Sequence, residues 1–335
     1  MTDPLRLLVV GAGSIGERHA RCFAATGRVR LALCEVNADV RKRVAERYAI
    51  GEVFDDYQAA LAAGPKVVVV ATPAHLHVPM AAAAAQAGAH VLIEKPLSTT
   101  PAGVDELVEL VAGRGVTAGV AYVYRCHPAL TAMREALASG RFGEPVEIVA
   151  NCGQHFPLYR PAYREIYYKD RATGGGAVQD ALTHVINAGQ WLVGPIDRLA
   201  ADVDHQVLDG VEVEDTAHVL ARHGRVMGCY SLNQHQAPNE VTITVACTGG
   251  TVRFEYHANR WRWMTEPGGT WNDEPSAALE RDDLFVRQAE MFLDATAGKR
   301  EPLCTLADAR HTLETNLAIL RAADSRQWET IAGVE

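Results

Sequence analysis

Apolar and polar residues follow two different patterns along the chain. In residues 5–121, short and mostly apolar runs such as Leu5–Val10 and 66–70 alternate with segments of helical spacing, including 15–25, 80–87 and 101–112. Unbroken apolar runs are typical of parallel strands that are covered on both faces. Strands that alternate with helices predict a parallel sheet built by right-handed crossovers.

The pattern changes after residue 124. Several of the strands predicted there alternate apolar with polar residues, most clearly in the Val-Thr-Ile-Thr-Val of 241–245. Such alternation is typical of an antiparallel sheet with one covered face. The predicted strands are 146–152, 216–222, 226–232, 241–247, 251–256 and 260–264, and the predicted helices are 128–139, 177–192, 283–296 and 306–323. We therefore predict an α/β domain over residues 1–124 and an α+β domain over residues 125–335.

Composition and charge exclude several classes of protein. The 335 residues include 41 acidic and 32 basic ones, and the net charge of −9 argues against binding to the phosphate backbone of nucleic acid. No apolar run approaches the roughly 20 residues of a membrane span. The start, Met1-Thr2-Asp3-Pro4, lacks the basic and apolar segments of an export signal, and the seven cysteines lie far apart. We expect a cytoplasmic protein with reduced thiols that binds neither membrane nor nucleic acid.

A glycine-rich turn follows the first predicted strand. Gly11-Ala12-Gly13-Ser14-Ile15-Gly16 is a G-x-G-x-x-G that stands directly before a predicted helix. In this fingerprint the first glycine permits the tight turn, the second lets a pyrophosphate approach the backbone, and the third lets helix and strand pack closely. The helix N-terminus then presents unpaired N–H groups to the phosphates. This segment predicts dinucleotide binding.

An acidic residue completes the fingerprint. Glu35 lies 19 residues past Gly16, just after the second predicted strand. A carboxylate there accepts hydrogen bonds from the adenosine ribose and repels a 2′-phosphate. The basic residues Arg41, Lys42 and Arg43 lie further on, in the next predicted helix, where a solvated basic face is expected. The sequence therefore favours NAD over NADP.

Two segments follow strands of the same predicted sheet. One is Thr72-Pro73 with His75 and His77, and the other is Glu94-Lys95-Pro96. The carboxyl ends of parallel strands form the edge at which open α/β sheets bind ligands. A lysine at the end of a buried strand can be desolvated enough to serve in acid–base chemistry. A lysine that is only a surface charge is the alternative.

A third segment, Gly174-Gly175-Gly176, precedes a predicted helix that carries Asp180 and His184 at i, i+4 spacing. Three glycines predict a backbone that is either mobile or closely approached. The carboxylate could orient the imidazole for proton transfer, and a purely structural helix start is the alternative. No set of three or four residues has metal-ligand spacing, so no metal is expected, and no Gly-x-Ser-x-Gly elbow supports a serine hydrolase.

Taken together, these segments resemble the glucose–fructose oxidoreductase / inositol dehydrogenase / MocA family. The matching motifs are Gly11-Ala12-Gly13-Ser14-Ile15-Gly16 with Arg18-His19, Thr72-Pro73 with His77, Glu94-Lys95-Pro96, Tyr124-Arg125 with Pro128, and Gly174-Gly175-Gly176 with Asp180 and His184. The resemblance implies an N-terminal Rossmann domain and a C-terminal domain with a large, mostly antiparallel sheet and flanking helices. It also implies a homodimer or homotetramer that associates through this sheet.

The activity that the resemblance implies is NAD(P)-dependent hydride transfer at a hydroxyl or keto carbon of a sugar, cyclitol or nucleotide sugar. Lys95 and His184 would carry the proton and Asp180 would orient the pair. The residues implied for the cofactor are Gly11, Ala12, Gly13, Ser14, Ile15, Gly16, Glu35, Thr72, Pro73, His77, Glu94 and Lys95. Those implied for the substrate are Arg125, Gln154, His155, Arg164, Asp180 and His184.

Two other functions use the same sequence features. A redox-cycling glycosidase that retains NAD would need the same residues, so the sequence leaves it open as the alternative. A dinucleotide sensor without activity could dispense with Lys95, Asp180 and His184. All three are present, which disfavours that reading.

Overall fold

Two sheets organise residues 4–331, the part of the chain that the computed structural model describes. The strands of the first sheet are β1 (Leu5–Val10), β2 (Val29–Cys34), β3 (Glu52–Phe54), β4 (Val67–Val70), β5 (His90–Ile93) and β6 (Ala118–Val120). The helices between them are α1 (Ser14–Ala25), α2 (Ala38–Arg47), α3 (Tyr57–Ala62), α4 (His77–Gln86) and α5 (Val104–Arg114). Residues 1–3, on which part of the expectation about an export signal rests, lie outside the described residues.

The remaining elements follow Cys126 in the chain. The helices are α6 (Pro128–Ala138), α7 (Phe156–Tyr159), α8 (Thr183–Val193), α9 (Asp283–Thr296) and α10 (Leu306–Ser325). The strands are β7 (Pro145–Gly153), β8 (Arg198–Asp204), β9 (Thr216–His223), β10 (Val226–Asn233), β11 (Glu240–Cys247), β12 (Gly250–Glu255), β13 (Arg260–Met264), β14 (Asn272–Pro275) and β15 (Glu329–Thr330).

The first sheet is parallel throughout, with strand order β3-β2-β1-β4-β5-β6. All four valines of β4 are fully buried, as the unbroken apolar run predicts. Val9 pairs with Leu33 on one side and with Val69 on the other. The strand order reverses between β1 and β4, and ligands bind at the carboxyl ends of such strands. The predicted Rossmann sheet is confirmed.

The chain divides into two units, and the division differs from the predicted boundary at residue 124. The first unit joins Met1–Cys126 to Glu280–Arg310, and the second joins His127–Leu279 to His311–Glu335. The returning helix α9 buries Phe292 and Leu293 in the core of the first unit. Its start is held by Asp282, which pairs with Arg21 on α1. The sequence indicates this helix correctly, but its packing partner is non-local and leaves no local signal.

The second sheet is large and mostly antiparallel, with order β14-β13-β12-β11-β7-β10-β9-β8-β15. Only β7 and β10 run parallel among its described pairs. The alternation in β11 behaves as predicted, since Val241, Ile243 and Val245 are buried and the residues between them are partly exposed. The predicted hairpin joins β11 to β12. The fold expected of the second part is confirmed.

None of the helices within residues 4–331 is both long enough and apolar enough to span a membrane.

Candidate functional site

The glycine turn lies at the switch point of the first sheet. Gly11 has φ +87°, and a Cβ there would lie 2.6 Å from the Ala71 carbonyl oxygen. A Cβ on Gly16 would overlap the carbonyl oxygen of Gly11. Gly13 is exposed, and a Cβ on it would meet nothing within 4 Å. Gly11 and Gly16 are therefore fixed by the protein's own packing, whereas Gly13 leaves an open cradle at the start of α1 that fits a dinucleotide pyrophosphate.

Glu35 reaches the glycine turn from the end of β2. Its Oε2 accepts a hydrogen bond from the Ala12 N–H at 2.7 Å, and its Oε1 accepts one from the Asn37 N–H at 2.9 Å. The carboxylate is thus oriented beside the cradle, where the adenosine ribose of a dinucleotide lies in this fold. The structure places Glu35 beside the glycine turn, and its contact with the ribose stays a prediction.

Arg41 corrects one expectation. The prediction of a solvated basic face fits Lys42, which is 76% exposed, but is wrong for Arg41. The Arg41 side chain is only 19% exposed, and its Nη1 donates to the backbone carbonyl of Glu35 at 2.5 Å. It lies in the first turn of α2, close enough to fold back over the loop that carries Glu35. Its guanidinium therefore supports the acidic loop.

Two buried histidines hold the loops that follow β4 and β5. His19 Nε2 lies 2.6 Å from Glu94 Oε1, and the Lys95 N–H donates to Glu94 Oε2 at 3.0 Å. His77 Nδ1 lies 2.8 Å from the Pro96 carbonyl oxygen, and its Nε2 lies 2.8 Å from that of Thr72. A neutral imidazole carries one N–H and donates to only one of these carbonyls at a time. The backbone of Lys95 is thus anchored on both sides.

These contacts change the roles expected of Glu94 and His77. Glu94 is 5% exposed and His77 is 1% exposed, and their polar atoms bond to the protein. Burial raises the pKa of Glu94, but the hydrogen bond and charge of His19 lower it, and the net pKa lies below its ordinary value. Burial lowers the pKa of His77. Both residues shape the loops around Lys95 rather than present a free face to a cofactor, while Thr72 and Pro73 remain accessible at the edge.

Arg125 does not fit the substrate role that the resemblance implies. It is 2% exposed, and its Nη1 donates to the Leu303 carbonyl at 2.8 Å and to Asp308 Oδ2 at 2.9 Å. Both partners belong to the returning segment of the first unit. The guanidinium therefore fastens that segment through its Nη1.

The second unit holds the Gly174–Gly176 segment against a buried carboxylate. A Cβ on Gly176 would overlap the carboxylate of Glu214, and one on Gly175 would overlap the Tyr168 carbonyl oxygen. Glu214 Oε1 accepts from the Val178 N–H at 3.1 Å, and Oε2 accepts from Arg171 Nε at 2.7 Å. Of the two readings of the glycines, close approach of the backbone is therefore the one that holds.

Asp180 lies in a widened turn rather than in the regular helix that the sequence predicts. Val178–Leu182 is π-helical and runs directly into α8, which carries His184 in its first turn. Such π turns recur at functional sites because they displace side chains from the α-helical path. Asp180 Oδ1 accepts a hydrogen bond from the Tyr167 hydroxyl at 2.6 Å. Asp180 and His184 are both partly exposed.

The segment implied to line the sugar pocket also belongs to the second unit. Its fold rests on a buried aromatic cluster of Phe156, Tyr163, Tyr168, Leu208, Val211 and Val213. His155 is exposed, Gln154 is partly exposed, and Arg164 Nε donates to the Asp209 carbonyl at 2.7 Å. The segment is therefore anchored by its aromatic residues, while Gln154 and His155 remain accessible to a ligand.

Several functional candidates carried no sequence signal that we could use. Glu214 precedes a strand without any motif, and Tyr167 is one of several tyrosines in a loop. His19 lies inside the matched motif, but only the structure gives it a partner. Among the described residues no group of three or more histidine, cysteine or acidic side chains could hold a metal ion.

Comparison with known proteins assigns the family. The family model described as "Oxidoreductase family, NAD-binding Rossmann fold" matches residues 5–122, and the GFO/IDH/MocA C-terminal domain matches residues 130–253. The levoglucosan dehydrogenase of Pseudarthrobacter phenanthrenivorans is 26% identical over 287 residues, which cover 75% of this chain and 74% of that protein. The UDP-N-acetylglucosamine 3-dehydrogenase of Acidithiobacillus ferrooxidans is 25% identical over 331 residues, which cover 96% of this chain and 98% of that protein.

The fold is likewise that of solved relatives. A levoglucosan dehydrogenase in complex with NADH and levoglucosan superposes with a TM-score of 0.90 at 22% identity, covering 99% of this chain and all of the other. The two family models together span more than half of the chain, at the positions where the motifs occur. The chain belongs to the GFO/IDH/MocA family of oxidoreductases, and its first unit contains the NAD-binding Rossmann domain of that family.

Proposed function

We propose that this oxidoreductase is an NAD-dependent dehydrogenase or reductase that acts on a hydroxyl or keto carbon of a sugar, a cyclitol or a nucleotide sugar. The observation that carries the proposal is the sheet edge of the first unit. The open Gly13 cradle and the oriented Glu35 carboxylate stand there beside the anchored loop of Lys95. The names of the relatives, which act on levoglucosan and UDP-N-acetylglucosamine, support the substrate class.

The cofactor accepts or returns the hydride when it is bound. The chain's own groups then have two tasks, which are to orient the substrate and to move the hydroxyl proton. We propose that Lys95 and His184 carry that proton and that Asp180 orients them. Thr72 and Pro73 border the cofactor cradle. Gln154 and His155, which are accessible, and Arg164 are proposed to contact the substrate.

The test begins with a screen of levoglucosan, UDP-N-acetylglucosamine and myo-inositol, with NAD and by NADH absorbance. On the substrate found, Lys95→Ala and His184→Ala should each lower kcat by roughly 10²-fold or more, with NADH affinity little changed. The double variant should lose much less than the product of the two losses, because residues that act as a unit are non-additive. Lys42→Ala, at a lysine that is 76% exposed, is the matched control. Full turnover in Lys95→Ala would refute the proposed proton transfer.

The glycosidase alternative is not favoured, because the relatives compared above are named as dehydrogenases. Its distinguishing activity is release of an aryl glycoside by the purified protein without added cofactor. We expect none, and measurable release would restore that alternative.

We also propose that the chain forms a homodimer or homotetramer through the second sheet. Val149, Cys229 and Leu220 lie in register on β7, β10 and β9, and Leu220 is 56% exposed. Light scattering on Leu220→Arg should show dissociation, whereas Val53→Arg, at an exposed valine of β3, should not change the mass. A parent protein that is already monomeric would contradict the proposal.

A reducing compartment such as the cytoplasm is proposed from the thiols. All seven cysteines are free, and burial raises the pKa of Cys126 and Cys152 to about 12. Reduced cysteines are the rule in that compartment. Thiol counting on freshly purified, denatured protein should find all seven thiols reduced. A stable disulfide would argue against a reducing compartment.

A further inference from the structure

We propose that Tyr167 is a positioning residue for Asp180, which it holds in place by donating its phenolic hydrogen to the carboxylate. The inference rests on the proposed function, in which Asp180 orients the proton carriers. The hydroxyl of Tyr167 lies 2.6 Å from Asp180 Oδ1, and the two residues are 13 positions apart in the chain. A hydrogen bond from a hydroxyl to a carboxylate is short and about twice as strong as a neutral one.

The backbone of Tyr167 is fixed by what surrounds it. The Thr173 hydroxyl donates to the Tyr167 carbonyl at 2.9 Å, and the Asp170 N–H donates to it at 3.1 Å. The next residue, Tyr168, is fully buried, and its ring lies 4.6 Å from that of Phe156. Tyr168 anchors the segment inward, and Tyr167 is directed outward with 43% of its surface exposed.

The glycine segment makes this placement possible. A Cβ on Gly175 would lie 2.6 Å from the Tyr167 carbonyl oxygen and would overlap that of Tyr168. The Gly176 N–H donates to the Tyr168 carbonyl at 3.0 Å. The turn that carries Asp180 therefore begins against the backbone of the two tyrosines. The carboxylate and the phenol are brought together by close backbone packing rather than by a flexible side-chain encounter.

The π-helical turn makes an external anchor for Asp180 useful. Residues Val178–Leu182 depart from regular α-helical geometry, and a side chain in such a turn is not fixed by α-helical neighbours at regular spacing. A carboxylate that orients a proton carrier has to keep one rotamer to be effective, since catalytic geometry tolerates little misplacement. The Tyr167 hydroxyl restricts that rotation from outside the helix.

The test is Tyr167→Phe, which keeps the ring and removes the donor. We expect kcat to fall about tenfold on whichever of levoglucosan, UDP-N-acetylglucosamine or myo-inositol is turned over, with NADH affinity and the thermal midpoint unchanged. In an Asp180→Asn background the same change should have little further effect. Tyr48→Phe is the matched control, because Tyr48 donates to the Glu17 carboxylate at 3.0 Å in the first unit. It should leave kcat unchanged.

The outcomes separate this inference from the function on which it rests. An impaired Asp180→Asn beside a fully active Tyr167→Phe overturns the inference alone. If Tyr167→Phe lowers kcat as much in the Asp180→Asn background as in the parent, Tyr167 acts independently of Asp180. That result also overturns the inference. A fall in the thermal midpoint that accounts for the lost activity does the same. Full activity of Asp180→Asn overturns the role proposed for Asp180, and this inference falls with it.

A readout that needs no substrate supports the kinetic one. With fluorotyrosine at position 167, the fluorine NMR resonance should shift when Asp180 is changed to Asn, because the phenol loses its carboxylate acceptor. The same change at Asp170, a neighbouring acid whose carboxylate caps Ala172, should leave the resonance in place. An unchanged resonance in Asp180→Asn would show that the bond does not form in solution and would overturn the inference.

Discussion

The two glycine segments of this protein look alike in sequence and serve different purposes. Each precedes a helical segment, and each meets a glutamate from elsewhere in the chain. In the first unit Glu35 accepts from the Ala12 N–H and leaves Gly13 open to solvent. In the second unit Glu214 is 1% exposed and accepts from the Val178 N–H, so the protein's own carboxylate occupies the start of the helix.

The difference shows that a glycine can serve either a ligand or the protein's own packing. The fold does not require a glycine at position 13, because a Cβ on Gly13 would meet nothing within 4 Å. Gly176 cannot carry a Cβ, since the Glu214 carboxylate lies where it would go. The open segment, Gly11–Gly16, therefore suits a bound dinucleotide. The filled segment, Gly174–Gly176, provides a rigid support for Asp180.

The largest expected effect is a loss of stability from a substitution in the filled segment. Gly176→Ala must move the buried Glu214 carboxylate, and the residue has φ +87°, which disfavours any side chain. Overpacking together with the left-handed backbone should lower the free energy of unfolding by about 3 kcal/mol. Urea unfolding measures it, and the variant that folds should bind NADH as the parent does. An unchanged urea midpoint would mean that Glu214 relocates without cost.

The next largest effect is the opposite case: a substitution in the open segment should weaken cofactor binding and leave stability unchanged. Gly13→Ala should keep the parent's thermal midpoint and lose about 2 kcal/mol of NADH affinity, roughly thirtyfold, because the methyl group stands where the pyrophosphate approaches. Fluorescence titration with NADH gives the dissociation constant. Gly113→Ala is the matched control, since that exposed glycine near the end of α5 also meets nothing within 4 Å. Equal NADH affinity in Gly13→Ala and the parent would contradict the cradle.

The sequence predicted the open segment far better than the filled one. The fingerprint of Gly11, Gly13, Gly16 and Glu35 is local, and its strand–turn–helix context is visible in the apolar pattern. The structure brings the same four residues together. The filled segment depends on Glu214, from a distant part of the chain, and on Tyr168, in the loop just before it. No periodic pattern marks either residue.

The same reasoning explains the other departures. Arg125 matched a motif position, but its guanidinium turns to Asp308, 183 residues away in the chain. The helix at 283–296 was predicted from its spacing, yet only the three-dimensional contacts place it with the first unit. Periodicity specifies which face of an element is apolar, and it does not specify what covers that face. Elements and motifs were therefore predictable, whereas non-local partners were not.

A smaller effect concerns the carboxylate beside the open cradle. The parent should bind NADH at least tenfold more tightly than NADPH, about 1.4 kcal/mol, because Glu35 and a 2′-phosphate would place two anions close together. Glu35→Ser removes one of those anions and should bring the affinities for NADH and NADPH closer together. Parallel titrations with both cofactors check this. A parent with equal affinities would remove Glu35 from cofactor selection.

The smallest effect concerns the support behind that carboxylate. Arg41 donates to the Glu35 carbonyl and also lies 3.7 Å from Asp55, so it holds the acidic loop without facing the cradle. Arg41→Ala should weaken NADH binding about threefold, as expected for loss of one modest hydrogen bond that positions the loop. Lys42→Ala is the control, because Lys42 is 76% exposed and pairs only weakly, at 3.9 Å, with Glu46. Equal NADH affinity in both variants would mean that the loop keeps its shape without Arg41. If Arg41→Ala instead lost as much NADH affinity as Glu35→Ser, the arginine would be essential for holding the Glu35 carboxylate in place. The open segment would then depend on its surroundings as much as the filled segment does.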